Sequence, residues 1–510
     1  MNKLCFAIIL LLVGEALSFC TIGVAAGSAT RDGRPIAFKT RDTNSWSLEF
    51  KVQSPDGLFA FVGNTAVDNS IVWFGQNEVG FGITQSAAYN LSGGGSGLGN
   101  GSMMNFALAR CTTIDDFEHI LDSTNTGRAT AANYAVFDAD GGAAIFECGR
   151  TFYARYDADS LGIVVRGNFA YIGTSGRVGQ NRMERAYSLI ADAIAGDSLD
   201  AKFIIKAVLS DLLYPDQDPY PLPWTGAFPP MPAGWLDTGP FTEVQTICNA
   251  NTHAAGVAQG VAPGEDPAHS LLWCMFGAPV GSVAFPLFPA SLSTPSECIG
   301  SSSPMFVASK AKYDSLFSHP SVNYWLNAGY LLDTLGGGVL TYTHPIIDWA
   351  FDSVSAQLDE WAMLPPSAGD LADFQSDMIA MILGAYTSGT PLAIPEKTLP
   401  TEIALSAYPN PFNTAVTLSA PIGAEIEIFD VNGRRMDVIA RSDQSVIARS
   451  PMDDEAISSN QGDCFGLRPR NDGKGVFVWQ PNENIPSGVY LVRATASSRQ
   501  TAAKRVVYLK

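Results

Sequence analysis

Residues 20–42 read CTIGVAAGSATRDGRPIAFKTRD, and this stretch decides how the larger part of the chain is read. Cys20 to Ala26 and Pro35 to Thr40 are short β-like runs, and Arg31-Asp32-Gly33-Arg34 between them is a hairpin signal. A cysteine therefore opens the first strand. Just upstream, Leu4 to Val13 is an apolar run of about ten residues behind Lys3, the form of an export signal and too short for a span of roughly 20 residues. If processing stops at Cys20, one residue carries both a thiol and a free α-amine. An α-amine titrates at about 7.7–8.0, so near neutral pH it accepts the thiol proton without any histidine. The same cysteine also reads as a small buried hydrophobe, half of a disulfide or a lipid attachment point, although Phe19 before it is bulky for either kind of signal cleavage.

Working outward, β-like segments recur at 57–63, 70–75, 80–84, 133–139, 142–148, 151–156 and 162–172, separated by turn signals such as Asp56-Gly57 and Asp140-Gly141-Gly142. That is an antiparallel pattern. Helical periodicity appears at 103–110, at 114–122 behind the cap signal Thr112-Thr113, and at 181–195, where Met183, Ala186, Leu189, Ile190 and Ala193 share a face. Further helices are expected at 199–212, 310–316, 353–363 and, most strongly, 372–387. The class is α+β. The glycine-rich loop 86–102 has no Gly-Lys-Ser/Thr ending and does not read as a phosphate cradle. The proline-rich run 214–232 is expected to be an ordered surface loop, since its prolines cannot join a central ladder.

The 510 residues carry a net charge of −19, which argues against nucleic acid or an anionic membrane as partner. Twelve basic and twelve acidic side chains cancel within residues 401–510, so the whole excess lies before residue 400 and marks a compositional boundary. Of eight cysteines, seven remain once Cys5 leaves with the signal, an odd number with no Cys-x-x-Cys or Cys/His zinc spacing. No metal and no cofactor is expected.

The opening run, with Asn77 to Ile83, Ser86 to Asn90, Asn133 to Val136, Arg166 to Phe169 and parts of 252–286, resembles the N-terminal-nucleophile hydrolases of linear amide C–N bonds. These include choloylglycine hydrolases, penicillin V acylases and isopenicillin N acyltransferase-like proteins. The resemblance spans about residues 20–350 and implies a four-layer αββα domain over residues 20–395. It also implies that Cys20 is the nucleophile, Asp42 the carboxylate holding its α-amine, and Asn168 a donor to the developing oxyanion. The family pattern Arg-Asn-x-Asp is replaced here by Lys39-Thr40-Arg41-Asp42, so Lys39 fills the basic slot and Arg41 is a second candidate. On a regular strand Lys39 and Arg41 share one face and Asp42 points to the other, unless a bulge intervenes. Asn133, Tyr89 and Arg182 are candidates for substrate binding. A Cys/His dyad using His253 or His344 is the rival chemistry.

Residues 396–510 read as a small separate β-module. Tyr408-Pro409-Asn410-Pro411-Phe412-Asn413 and Ser487-Gly488-Val489-Tyr490 resemble the C-terminal sorting domain of the type IX secretion pathway, which implies an immunoglobulin-like sandwich and the secretion machinery as partner. Asn432-Gly433 reads as a hairpin turn and 437–475, with Cys464, as a long polar insertion. The expected protein is secreted or displayed at the cell surface after removal of residues 1–19. It acts on a small-molecule amide through a thioester on Cys20, as a hydrolase or an acyltransferase. A dipeptidase, or a non-enzymatic surface protein with a lipidated or disulfide-bonded Cys20, is the alternative.

Overall fold

The computed structural model describes residues 19–67, 69–212, 235–237, 246–317, 325–327, 330–331, 338–362, 364–392, 405–421, 424–430, 434–440, 474–482, 485–495 and 501–510. The chain divides into two units, Met1–Ile394 and Pro395–Lys510.

In the first unit, ten strands precede residue 200: β1 (Ile22–Ala25), β2 (Ile36–Asp42), β3 (Glu49–Gln53), β4 (Phe61–Thr65), β5 (Val72–Asn77), β6 (Gly82–Ala87), β7 (Ala132–Phe137), β8 (Ala143–Cys148), β9 (Tyr153–Asp157) and β10 (Ile163–Arg166). Later come β11 (Trp235–Asp237), β12 (Thr252–Gln259), β13 (Leu271–Phe276), β14 (Phe285–Leu287) and β15 (Trp325–Asn327). β3 to β9 form a seven-stranded sheet in chain order, a meander whose one long connection, between β6 and β7, carries two helices. The other large sheet has six strands in the order β10-β1-β2-β12-β13-β14, all neighbours antiparallel. β11 and β15 make a two-stranded ribbon.

The two large sheets face each other across one core, where Ile22, Val24 and Phe38 from one meet Phe50, Val62, Phe74, Phe137 and Ile145 from the other. Phe50 makes edge contacts with Phe74 and, across the layer, with Phe276 at 4.9 Å. α1 (Asn100–Leu108) and α2 (Ile114–Ser123) cover the outer face of the seven-stranded sheet through a second cluster that holds Met103, Met104, Phe117, Tyr134 and Phe146. α2 begins where its sequence signal lies: the Thr113 hydroxyl accepts from Asp116 N and Asp116 answers to Thr113 N. α3 (Gln180–Ala195), the short α4 (Ala201–Phe203), α5 (Pro304–Phe317), α6 (Leu340–Trp361) and α7 (Ala368–Ser388) pack on the six-stranded side. The mixed α and β class read from the sequence is the class of this unit.

Two local expectations are corrected, and two strands went unread. The β-like run 162–172 is strand only to Arg166, because Gly167 leaves the ladder and the chain turns. The helix expected at 199–212 is one turn of α4 followed by a π-helical turn over Ile204–Val208. β12 and β13 were not legible as strands: THAAGVAQ and LLWCMF are buried on both faces, so they carry no alternation. The proline-rich run lies outside the described residues, apart from which no helix among those described is long and apolar enough to cross a membrane.

The second unit has a three-stranded sheet, β16 (Ser406–Tyr408), β17 (Val416–Pro421) and β20 (Lys474–Trp479), and a four-stranded one, β19 (Arg435–Ala440), β18 (Glu425–Asp430), β21 (Gly488–Thr495) and β22 (Thr501–Tyr508). They share a core of Leu418, Ile426, Ile428, Trp479, Tyr490, Val492 and Val506. Asn410 uses its amide to accept from Val507 N at 2.9 Å and to donate to Arg505 O at 2.8 Å, so the Tyr-Pro-Asn-Pro-Phe segment covers the edge of β22. Tyr490 donates to Pro486 O at 2.6 Å, which ties the Ser-Gly-Val-Tyr segment to its own turn. The ends of the expected insertion are strand, in β19 and β20; its middle, with Cys464, lies outside the described residues, as does the Asn432-Gly433 turn before it.

Candidate active site

Strand register assembles the site. β1 pairs with β10 through Ile22 and Arg166, and with β2 through Ile22 and Lys39. Continuing by two residues puts Cys20 beside Asn168 on one side and beside Arg41 on the other. Cys20 shares the face of Ile22, and so faces the seven-stranded sheet together with Lys39 and Arg41. The contacts agree. Lys39 donates to Gln85 O on β6 and stands within hydrogen-bond reach of the Cys20 sulfur, and Arg41 donates to Asn64 Oδ1 on β4.

Asp42 points to the opposite face of β2, as alternation requires. Its carboxylate accepts from Thr252 Oγ1 at 2.7 Å and from Asn249 Nδ2 at 2.8 Å, and it feels the charges of Arg182 and Lys39. The bulge that does occur is on the neighbouring strand: β12 skips His253 between the pairs Thr252–Asp42 and Ala254–Arg41. Lys39 and Arg41 thus share the sulfur's face of β2, while Asp42 lies on the other face with Thr252 and Asn249.

The backbone nitrogen of Cys20 donates to Asn168 Oδ1 at 2.7 Å. Arg182, in the first turn of α3, donates from Nη2 to the same oxygen at 2.8 Å and to Cys20 O at 3.3 Å, and from Nε to Thr21 Oγ1 at 3.2 Å. Gly179, at φ +79°, lets Arg182 fold back, since a Cβ there would lie 2.4 Å from Nη2. Asn168 Nδ2 donates to Ala87 O at 3.0 Å. The expected oxyanion donor is thus also, through Oδ1, the anchor of the Cys20 nitrogen.

Asn133 is fully buried beneath this loop, donating to Gly167 O and, at 2.9 Å, to Phe169 O, with Ser86 Oγ donating to Gly167 O at 2.6 Å. It holds the segment that carries Asn168. Tyr89 takes its place through Tyr89 N, which donates to Asn168 O at 3.0 Å, and its exposed ring meets Phe19 edge-on with centroids 6.3 Å apart. The eight residues singled out for the cysteine site lie in or directly under this one cluster; the two histidines of the rival dyad do not. Gln85, Asn64, Asn249 and Thr252 were not singled out, and three of them act through atoms that sequence does not mark, the backbone carbonyl of Gln85 and the uncharged amides of Asn64 and Asn249.

His253 belongs to another arrangement. Its ring stacks on Trp46 at 3.9 Å and its Nδ1 lies 3.2 Å from Ser45 O, while burial pushes its pKa down to about 4. His344 lies among Lys206 and Asp348. Among the described residues no group of three or more His, Cys, Asp or Glu side chains is placed to hold a metal ion, and Cys20, Cys111, Cys148, Cys248, Cys274 and Cys298 are unbridged.

Burial raises Asp42 to about 6, against the opposing pull of Arg182, Thr252, Asn249 and Lys39. The native state then binds a proton that the unfolded chain releases near the usual 3.9. Stability from this group is fully present below about pH 4 and is lost as pH rises towards 6. His253 contributes the opposite slope between about 4 and its ordinary 6.5. Asp42→Asn should therefore make the profile of melting temperature between pH 4 and 6 rise more steeply with pH. An unchanged profile would mean that Asp42 is ionised throughout.

No protein-family model matches the chain, and no curated protein matches it. Among solved structures, two variants of conjugated bile acid hydrolase from Clostridium perfringens each show 12% identity and a TM-score of 0.34, covering 52% of this chain and 92% of that chain. The Caenorhabditis elegans ortholog of N-acylethanolamine-hydrolyzing acid amidase shows 15% identity and a TM-score of 0.26, covering 33% of this chain and 77% of that chain. These are low scores, and the functional reading rests on the side chains of this chain.

Proposed function

We propose that the protein is an exported N-terminal-nucleophile hydrolase that cleaves linear amide C–N bonds through a thioester on Cys20. The observation that carries this reading is the placement of both ends of Cys20: the sulfur beside Lys39 and the backbone nitrogen 2.7 Å from Asn168 Oδ1. Removal of residues 1–19 turns that nitrogen into an α-amine already aligned by Asn168. The thiol proton passes to the α-amine as the sulfur attacks the substrate carbonyl. Negative charge then develops on the carbonyl oxygen, for which the Asn168 Nδ2 amide is the candidate donor. The ammonium returns the proton to the departing amine, the C–N bond breaks and the thioester remains. Water deprotonated by the same α-amine resolves it to the acid; an amine acceptor in place of water would make the reaction an acyl transfer.

The test is mass spectrometry of the secreted N-terminus combined with a panel of N-acyl amides. A free Cys20 and release of the amine support the reading; a lipid-blocked or uncleaved N-terminus with no turnover removes it.

The tail is read as an immunoglobulin-like sorting module for type IX secretion. A protein ending at residue 400 should keep its specific activity and melting temperature, because the tail has its own core. In a host with that pathway it should fail to reach the surface or medium. Normal delivery would dismiss the sorting role, and loss of folding would make the tail part of the catalytic unit.

A further inference from the structure

Asn168 lies in a segment whose two ends meet at one carboxylate. Glu147, on β8, is fully buried; its Oε1 accepts from Arg166 Nε at 2.7 Å and its Oε2 accepts from Ile172 N at 2.9 Å. Arg166 closes β10 of the six-stranded sheet, whereas β8 belongs to the seven-stranded one. One side chain therefore ties the two sheets together and shuts residues 166–172 into a loop with Asn168 inside it. The Arg166 guanidinium is buried as well, over the rings of Tyr156 and of Tyr171 in the same loop, 4.8 and 4.5 Å from their centroids.

Strand register gives this pair neighbours with the same task. Ser86, Asn133 and Glu147 stand opposite one another on β6, β7 and β8, so their side chains leave the sheet on one face. Ser86 Oγ and Asn133 Nδ2 donate to Gly167 O, and Asn133 Nδ2 also donates to Phe169 O. The row thus grips the loop on either side of Asn168, and its charged member holds the two outermost points. An ion pair buried for stability alone gains little, because apolar residues of the same volume do as well or better. What the carboxylate adds is a pair of acceptor oxygens in fixed geometry, where a neutral amide offers one oxygen and turns N–H donors towards the other contact.

We propose that Glu147 and Arg166 are positioning residues for Asn168: by fixing both ends of its loop against β8 they hold the Asn168 side chain in line with Cys20. The inference rests on the amidase reading above and supplies that site with two residues the mechanism does not use. A loop that drifts by about 1 Å is costly twice over, since Oδ1 loses the Cys20 nitrogen and Nδ2 its aim at the substrate carbonyl.

The processed full-length protein is compared with Glu147→Gln, Arg166→Lys and the double variant Glu147→Gln/Arg166→Met. The readouts are kcat and KM on the N-acyl amides of the panel, melting temperature, and hydrogen exchange of peptides covering 166–173, β1 and β2. Glu147→Gln should lower kcat by on the order of 10²-fold with KM within about threefold, the scale of a small misplacement. Exchange of 166–173 should quicken by on the order of 10-fold while β1 and β2 stay protected. Arg166→Lys keeps a cation for the carboxylate and should lose less than Glu147→Gln. The double variant leaves no uncompensated charge, so it should fold even where Glu147→Gln does not, and it should still show the lower kcat and the faster exchange because Arg166 no longer closes the loop. Wild-type protein that turns over no amide, with the exchange results as expected, keeps the clamp and rejects the amidase reading. The proposal is overturned by near wild-type kcat in folded Glu147→Gln or in the double variant, by a loss of kcat without faster exchange of 166–173, or by a loss that follows the melting temperature with exchange rising in every peptide.

Discussion

Cys20→Ser is expected to lower amide turnover by on the order of 10³-fold or more while leaving KM within a few-fold. A hydroxyl has a far higher pKa than a thiol, so an α-amine titrating near 8 is a weak base for it. Lys39 and Arg41 lie on the same face as the sulfur, and neither remedies a nucleophile that does not ionise. Serine differs from cysteine by one atom, and Cys20 is buried at the start of a central strand, so the melting temperature should hardly move. Single-turnover kinetics on the processed protein are the measurement. Wild-type rates in Cys20→Ser would take Cys20 out of the mechanism and, with it, the whole thioester route.

The second large effect is expected at Asn168. Asn168→Ala should lower kcat by about 10²- to 10³-fold with a smaller change in KM, the range seen when one preorganised oxyanion donor is lost. Two losses are combined in that variant, because Oδ1 holds the Cys20 nitrogen and Arg182 while Nδ2 is the amide donor. Asn168→Asp separates them. The carboxylate keeps an acceptor for Cys20 and Arg182 and deletes the N–H donors. Turnover as low as in Asn168→Ala assigns the effect to the donor; recovery to near wild type assigns it to the positioning of the α-amine. A change confined to KM in both variants would make Asn168 a substrate-binding residue instead.

Much of the site was legible because its chemistry is carried by charged or reactive side chains in a short stretch. Cys20, Lys39, Arg41 and Asp42 lie within the opening hairpin, and period-two alternation alone puts Lys39 and Arg41 on one face and Asp42 on the other. The structure keeps that division. The partners that complete it were hidden. Lys39 is held by the carbonyl of Gln85, and no residue type announces a carbonyl. The β12 bulge at His253 sits in a run of fully buried residues without periodicity, so neither the strand nor its irregularity leaves a signal.

From its own residues this chain determined that a cysteine would begin a strand, that three charged side chains would follow on the next one, and that a separate β-module would close the chain, because these depend on local pattern and covalent order. Only the tertiary structure decided which distant groups meet them. Asn168 and Arg182 reach Cys20 across sequence separations of 148 and 162 residues, through the antiparallel register of β1 with β10 and the turn into α3. Arg41 was the second candidate for the basic slot in the sequence, after Lys39. Its neighbours, a neutral amide and an indole with an unused N–H, come from β4 and β5 of the opposite sheet. The packing of two sheets therefore leaves Lys39 at the sulfur and Arg41 on the Asn64 amide and over the Trp73 ring, since a buried cation is defined by what faces it and not by its own place in the strand.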